Sequence, residues 1–230
     1  FLKYGNALKV VRVESGHFNA TGDASDPLLI KNDAHYVDAG YSTGGADVGR
    51  WAAKYPGVKG NSLKVSMITE GITSFSGWAY SSSFNGAPGT STYAADLGKG
   101  SIGDEVHVAV IDEDGVFSGT SGTVLETFAY ASQASDAKNP DGTSNYYVDV
   151  VNNGSDYIRW MDHSTASHSP AAALPNAGAD LRLAGTTAIA GVTTSIDDSL
   201  TDGADDNIPL TGEISAGFDL LSDAETVDVG

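Results

Sequence analysis

The densest apolar pattern in the chain runs through residues 103–132. Its first half alternates with a period of two between valines and a second set of residues: Val106, Val108 and Val110 against His107, Ala109 and Ile111. Such alternation, built largely from β-branched residues, is typical of a β-strand. No other stretch of this length is as apolar, so we expect it to form the centre of a β-sheet against which the rest of the chain packs.

A turn and a returning ribbon are predicted directly after this strand. Asp114-Gly115 favours a tight hairpin turn, because aspartate and glycine both tolerate positive φ. The return then starts at Val116-Phe117, and residues 124–128 predict a further strand.

Helical spacing is clearest over residues 144–153. Large apolar side chains fall there on one helical face, namely Tyr146, Tyr147, Val150 and Val151. Thr143 or Ser144 would cap the start of this helix, and Asn153-Gly154 would end it.

The remaining elements are shorter or less regular. A last helix over residues 213–222, with Thr211 near its cap, should direct its apolar side chains inward: Ile214, Phe218 and Leu221. Short helical segments are predicted over residues 1–5, with Gly5 as the stop signal, and over 50–55. Strands are predicted over residues 8–13, 63–68, 157–161 and 226–229.

Three segments read as loops. Residues 14–49 are polar and predict a surface excursion. Residues 70–100 carry spaced aromatic residues and predict either an ordered surface segment or a loop that covers the sheet, and residues 162–212 are weakly patterned. The fold class is therefore α+β: a β-sheet-centred domain over residues 1–222 with a few flanking helices and long surface loops. Residues 223–230 would begin the first strand of a following α/β domain.

Composition narrows the classes of partner. With 40% hydrophobic residues among 230, the chain has enough apolar surface to form a core. The net charge of −18 argues against binding to nucleic acid and to anionic membrane surfaces, since both require clustered lysine and arginine. No run of eighteen apolar residues occurs, so membrane insertion is not expected. The absence of cysteine excludes disulfides and thiolate metal sites.

Two acidic segments are candidate cation sites. Asp112-Glu113-Asp114-Gly115 resembles the opening of a calcium loop, but an EF-hand would need a glutamate twelve residues from the first ligand, so a hairpin turn is the stronger interpretation. A second acidic run could collect a divalent cation or form a solvated loop: Asp197, Asp198, Asp202, Asp205 and Asp206.

The other candidates are weaker. His163 and His168 lie five residues apart without an evident third ligand, and we expect both on an exposed loop. Residues 85–91 are glycine-rich but lack the lysine of a phosphate-binding loop. Asn19 and Asn153 begin glycosylation sequons, which mean something only in a secretory pathway. No G-x-S-x-G elbow occurs. The sequence therefore predicts no catalytic, metal-binding or cofactor-binding residue, no cofactor and no enzymatic activity.

Five stretches, taken in order, resemble the tail sheath proteins of contractile-tailed bacteriophages. They are F-L-K-Y-G-N-A-L-K-V-V-R-V at residues 1–13, A-A-K-Y-P-G-V-K-G-N-S-L-K-V-S at 52–66, residues 103–128, S-N-Y-Y-V-D-V-V-N-N-G-S-D-Y-I-R-W at 144–160, and A-G-F-D-L-L-S-D-A-E-T-V-D-V at 216–229. No single stretch is specific, whereas their common order is.

The resemblance implies a structural role. The chain would correspond to the middle domain of a sheath subunit, with residues 14–49 in place of the protruding domain that larger members insert. Its partners would be neighbouring sheath subunits in a helical lattice, and the tail tube and baseplate proteins through regions largely outside this chain. The location would be the virion, assembled in the host cytoplasm, where contraction drives the tube through the host envelope for genome ejection.

One alternative stays open on composition alone. An acidic, cysteine-free chain rich in Thr, Gly and Asp also suits an exported surface-layer or adhesin-type binding module, with calcium as a potential stabiliser. Sensitivity of the melting temperature to a chelator separates the two hypotheses.

Overall fold

The computed structural model describes residues 10–11, 13, 16–22, 27–44, 48–163, 177–183, 191–206 and 209–222. Its strands are β1 (Trp51–Ala53), β2 (Leu63–Thr69), β3 (Glu105–Asp112), β4 (Thr123–Ser132), β5 (Ile158–Trp160) and β6 (Ile196–Ser199). Its α-helices are α1 (Asp33–Asp38), α2 (Thr92–Asp96), α3 (Tyr147–Gly154) and α4 (Thr211–Ser222). Short 3₁₀ helices span Tyr41–Thr43, Val58–Ser62, Phe75–Gly77 and Ser81–Ser83. The fold is therefore α+β, as the sequence predicts.

The main sheet is antiparallel and has the strand order β4-β3-β2-β6. In its register Val65 lies opposite Val110, and Met67 lies opposite Val108. A second sheet pairs β1 with β5 and places Trp51 opposite Trp160. Strand β3 has a neighbour on each side, which confirms the predicted central position for the first half of the 103–132 segment, whereas β4 lies at the edge of the sheet.

The two faces of β2 and β3 are buried in different clusters. One face carries Leu63, Val65, Met67, Val106, Val108 and Val110, which pack against α3, β1 and β5. The other carries Ile68, Ala109 and Ile111. These three pack beneath residues 75–84, which we call the aromatic segment. Because side chains alternate across a strand, a period-2 sequence with apolar residues in both sets has to be covered on both sides.

The aromatic segment comes from the polar loop that follows β2. Trp78 and Phe84 pack on Ile68 and Ala109, and the Trp78 Nε1–H donates to Ser66 Oγ at 2.8 Å. The tryptophan thus buries its ring and satisfies its one donor. Of the two alternatives predicted for residues 70–100, the structure therefore has the one in which the segment covers the sheet.

The predicted helix over residues 50–55 is wrong, because this segment forms strand β1. Ala53 N donates to Ala20 O at 2.7 Å, and Gly22 N donates to Trp51 O at 3.0 Å, while β5 pairs along the other edge. The 20–22 segment and β5 therefore provide hydrogen-bond partners for the backbone N–H and C=O groups of β1. This tertiary pairing overrides the helical preference of its alanines.

Residues 14–49 are also less peripheral than predicted. Asn19, Ala20, Leu28 and Ile30 are all buried, and α1 contributes buried Tyr36. The Asn19 amide donates to Ala53 O at 2.9 Å and its carbonyl accepts from Ile30 N at 2.7 Å. This segment therefore contributes buried residues to the core of the small sheet, although most of α1 is exposed at the surface.

Four further predictions can be compared with the structure. The strands over 63–68 and 157–161 are confirmed as β2 and β5. The helix over 144–153 is confirmed as α3, although its N-cap is Tyr146, which makes no side-chain capping bond. The loop prediction for residues 162–212 is wrong in one place, because β6 extends the main sheet. The helical end at 1–5, the strand at 226–229 and most of the strand at 8–13 lie outside the described residues.

We expect Gly60→Ala to lower the free energy of unfolding by about 1–3 kcal/mol, the usual range for overpacking. A Cβ at position 60 would lie 2.9 Å from the Cβ atoms of both Ala20 and Ala53, where β1 and the 19–22 segment meet. Urea denaturation would measure the change. Gly100→Ala is the matched control, since a Cβ there meets nothing within 4 Å; equal costs at the two positions would contradict the packing argument.

Candidate functional site

The Asp112 carboxylate anchors a loop instead of opening a tight turn. Strands β3 and β4 are joined by residues 113–122, so the two-residue turn at Asp114-Gly115 and the returning strand at Val116-Phe117 are both wrong. Asp112 is fully buried and accepts from Ser62 Oγ at 2.6 Å, Phe117 N at 2.9 Å and Ser118 N at 2.7 Å.

The electrostatics of Asp112 fit this anchoring role. Burial by itself would raise the pKa of Asp112, but the hydrogen bonds from Ser62, Ser118 and Phe117 outweigh it and hold the pKa well below its usual value. A carboxylate whose oxygens are occupied by four protein donors, including Ser118 Oγ at 2.8 Å, has little capacity left for a cation.

The acidic run does not converge on one point. Asp198 forms a two-point ion pair with Arg50, Asp205 accepts from Val58 N at 3.0 Å, and Asp197 accepts from Ser195 Oγ at 2.5 Å. Asp202 lies in the left-handed region, with φ of 64°. Within the described ranges, no three His, Asp or Glu side chains come close enough together to hold a metal ion.

His163 is half-buried within a cluster of aromatic residues, so the prediction of an exposed loop histidine is wrong for it. Its Nδ1 lies 2.6 Å from the Tyr147 hydroxyl and its Nε2 lies 3.0 Å from the Tyr146 hydroxyl. Trp160 Nε1–H donates to Tyr147 Oη at 3.1 Å. His168 lies outside the described residues.

This cluster is electrically neutral near pH 7. Burial raises the pKa of Tyr147 and of Tyr146, and burial lowers the pKa of His163 against an opposing effect of Asp162. Because Tyr147 accepts from Trp160, its own proton can go to His163 Nδ1, which leaves His163 Nε2–H to donate to Tyr146. The four side chains form a hydrogen-bonded chain that joins α3 to β5.

The glycine-rich residues 85–91 lie along β3 as a loop, as predicted. Gly89 N donates to Glu105 Oε2 at 2.8 Å, and Ser91 donates to Asp104 through its backbone N–H at 2.8 Å and its hydroxyl at 2.7 Å. These donors are therefore directed at β3 and are not presented to a phosphate. Of the two sequon asparagines, Asn19 is buried, whereas Asn153 is exposed at the end of α3.

One apolar surface is formed by α4 together with Val11 and Val13, near the start of the chain. Phe218 is 68% exposed, and Leu220 and Ile214 are exposed as well, so the predicted inward orientation of Ile214 and Phe218 is wrong. The buried residue of α4 is Gly217, where the helix packs closely on Val13. A Cβ at position 217 would lie only 2.5 Å from Val13 Cγ2. A shallow groove of about 190 Å³ runs between Val11, Val13 and the helix.

A second apolar surface lies where β1, β2 and β5 begin or end. Its cleft has a volume of about 270 Å³ and includes Tyr55, Phe117 and Tyr157 in its lining. Phe117 and Tyr157 meet edge to face with their ring centroids 5.3 Å apart, and Tyr55 is 68% exposed. Exposed aromatic groups around a concave centre are typical of surfaces that contact other proteins.

No family model matches the chain, and no curated protein matches it either. Among the helices in the described part of the chain, none has the length and apolar character needed to cross a membrane.

Sequence reasoning missed one histidine that is enclosed by polar and aromatic groups. His107 is fully buried on β3, between the aromatic segment and β4. The available signal was its position, because it is the one polar residue within the alternating run from Val106 to Ile111. A histidine at a strand position with apolar neighbours requires buried hydrogen-bond partners for both ring nitrogens.

Proposed function

We propose that this chain is a domain of a structural subunit of a contractile phage tail sheath. The observation that carries the proposal is that stretches resembling this family, although far apart in the sequence, pack together in one core. Residues 52–66 supply most of β1 and the first four residues of β2, residues 103–128 supply β3 and most of β4, and residues 144–160 supply α3 and β5. Members of all three stretches share the largest hydrophobic cluster.

Convergence of this kind favours a relationship over the whole domain. Chance matches to separate short motifs have no reason to coincide with the elements that bury each other's apolar surface. Here Val65 and Val110 are paired in the sheet, and Val151 and Ile158 from the 144–160 stretch belong to the same cluster. The ordered resemblance therefore follows the hydrophobic core.

The architecture suits a unit that moves as a rigid body. A sheet covered on both faces resists deformation, because its two clusters are close-packed interiors. In a helical sheath the free energy of contraction is the difference between two lattice packings, so each rigid subunit needs to contribute only a modest difference in contact energy. Neighbouring sheath subunits, the tube and the baseplate are the proposed partners, and the virion is the proposed location.

The two exposed apolar surfaces are available for such contacts. We assign the face of α4, with Phe218 and Leu220, to the sheath domain that the resemblance places next in the chain. We assign the cleft lined by Tyr55, Phe117 and Tyr157 to contacts with other subunits. The acidic loops would face solvent, where net charge favours solubility.

Electron microscopy of the full-length parent protein, expressed alone and then with tube and baseplate proteins, tests the proposal. We expect striated tubes of uniform diameter, because head-to-tail contacts that do not close into a ring propagate as a helix. Discrete particles under both conditions would contradict the proposal. Thermal denaturation of the present chain with and without a chelator is the companion measurement, and a fall in melting temperature with chelator would favour the calcium-stabilised surface module.

A further inference from the structure

Both nitrogens of the buried His107 ring are used, and in opposite senses. Tyr130 N donates to Nδ1 at 3.0 Å, and Nε2 lies 2.8 Å from Gly86 O. Since a carbonyl can only accept and a backbone N–H can only donate, the ring must be the neutral tautomer with its proton on Nε2. The imidazole therefore bridges the loop after the aromatic segment to strand β4.

The ring is also enclosed by aromatic side chains. Phe84 stacks on it at a centroid distance of 4.5 Å and an interplanar angle of 7°, while Tyr130 meets it edge-on at 4.6 Å and Phe75 at 6.3 Å. A charged imidazolium here would be cut off from water. Burial accordingly lowers the pKa of His107, against smaller opposing effects of the Gly86 and Val106 backbones.

A strained residue is held by the same bond. Tyr130 has a positive φ of 55°, unusual for a non-glycine residue, and the β3–β4 register is irregular between Val106 and Val108. The hydrogen bond from Tyr130 N to His107 helps to maintain this conformation. Protonation of Nδ1 would place an N–H of the ring against the N–H of Tyr130, which removes the bond and adds a repulsion.

The other titratable groups around His107 do not act in the same way. Tyr130 on β4 and Tyr80 on the covering segment are phenols, and burial raises the pKa of Tyr80 further, with smaller effects of Lys64, Asp197 and Glu113. Glu105, two residues earlier on β3, accepts from Gly89, and burial raises its pKa. Acid would favour the enclosed neutral form of Glu105, so its titration opposes release of the loop.

We propose that His107 is an acid-sensitive lock that holds residues 75–86 on the sheet. Protonation of Nδ1 breaks the bond to Tyr130 but leaves the bond from Nε2–H to Gly86, so the segment is released because the charged ring, enclosed away from water, is hydrated only when residues 75–86 leave the sheet, while the rest of the body stays folded. The segment contributes Phe75, Trp78 and Phe84 to the cluster over Ile68 and Ala109. Release would therefore expose a continuous aromatic surface. The device is independent of the sheath proposal, since it needs only this domain.

The absence of cysteine in the chain makes the release measurable with a single introduced thiol. Ala109→Cys places the thiol beneath the aromatic segment, and Ala52→Cys places one in a separate buried cluster as a reference for unfolding of the remaining body. Each is labelled with 4,4′-dithiodipyridine, which reacts at acidic pH, and the rate is divided by the rate of the urea-unfolded chain at the same pH.

The expected result is a steep and local pH dependence. Opening that requires uptake of one proton increases about tenfold per pH unit, starting below about pH 6.5, the ordinary pKa of histidine. Labelling at position 109 should follow this slope, while labelling at position 52 should not. In the background of His107→Gln, which keeps one donor and one acceptor but does not titrate in this range, the slope at position 109 should disappear. His163→Gln, which removes a different half-buried histidine, should leave it unchanged.

Three outcomes would overturn the lock: no slope at position 109, the same slope with His107→Gln, or equal slopes at positions 109 and 52. Should the glutamine variant fail to fold, NMR titration of the His107 Cε1 proton in the unsubstituted chain decides the question. The lock requires that the ring stays neutral while it is enclosed, as the pH is lowered, and that the signal of a protonated histidine appears only with the chemical shifts of an exposed ring. Direct protonation of the enclosed ring would overturn it.

Discussion

Replacing Asp198 with alanine is expected to lower the free energy of unfolding by about 3–5 kcal/mol, the range for breaking a buried ion pair from one side. The side chains of Arg50 and Asp198 are only 7% and 10% exposed, and Arg50 Nε donates to Asp198 Oδ2 at 2.6 Å while Nη2 donates to Oδ1. Without the carboxylate, the buried guanidinium loses this two-point ion pair. The pair also links β6 to the residue before β1, so the loss should weaken the junction of the two sheets.

Urea denaturation measures this effect, and the neighbouring Asp197→Ala is the matched control. Asp197 lies on the same strand but is exposed, and we expect its replacement to change stability by no more than about 0.5 kcal/mol. The double variant Arg50→Met with Asp198→Leu should recover much of the loss, because both buried charges are then removed together. A cost below about 1 kcal/mol for Asp198→Ala would show that the guanidinium is solvated and the argument wrong.

The second large effect is expected at Asp112. Its replacement by alanine should lower the free energy of unfolding by about 2–4 kcal/mol, because the donors of Ser62, Phe117 and Ser118 lose a charged acceptor at a buried position. Local disorder of residues 113–122 should accompany the loss, since the carboxylate ties the middle of this loop to the end of β3. Hydrogen exchange of Phe117 and Ser118 N–H would detect it.

The same carboxylate predicts an acid dependence whose sign can be derived. The pKa of Asp112 is lower in the folded chain than the ordinary value of about 3.9, so its contribution is fully present above that value and is lost as the pH falls below it. The stability of the Asp112→Ala chain should therefore fall less steeply below pH 4 than that of the unsubstituted chain. Asp114→Ala, at an exposed position in the same loop, should retain the full slope; parallel slopes for all three chains would contradict the assignment.

Strand β3 and helix α3 were predictable because their hydrophobic periods are strong and local. The alternation from Val106 to Ile111 specifies a strand, and apolar residues in both alternating sets specify that both faces are covered. The buried face of α3 was equally predictable, since Tyr147 and Val151 are one helical turn apart and both are buried. In each case the apolar pattern that identifies the element, and the face that is buried, can be read from the residues of the element itself.

Strands β1 and β6 could not be predicted in the same way. Trp51-Ala52-Ala53 has a local preference for helix, and β6 is Ile-Asp-Asp-Ser, which has no strand pattern. Both become strands because backbones distant in the sequence satisfy their hydrogen-bonding groups: residues 20–22 and β5 for the first, β2 for the second. A single-sequence pattern contains no information about partners that come from elsewhere in the chain.

The same distinction between local pattern and tertiary contact applies to the candidate sites. The sequence by itself determined which residue types are available, including an acidic surface, no thiol, and a valine-rich strand that contains one histidine. Only the tertiary structure decided that Asp198 pairs with Arg50, that Asp112 closes a loop and that His107 bridges Gly86 and Tyr130. The physical reason is that periodicity is set by neighbours in the chain, whereas the role of a charged or titratable group is set by the distant donors and acceptors that folding brings to it.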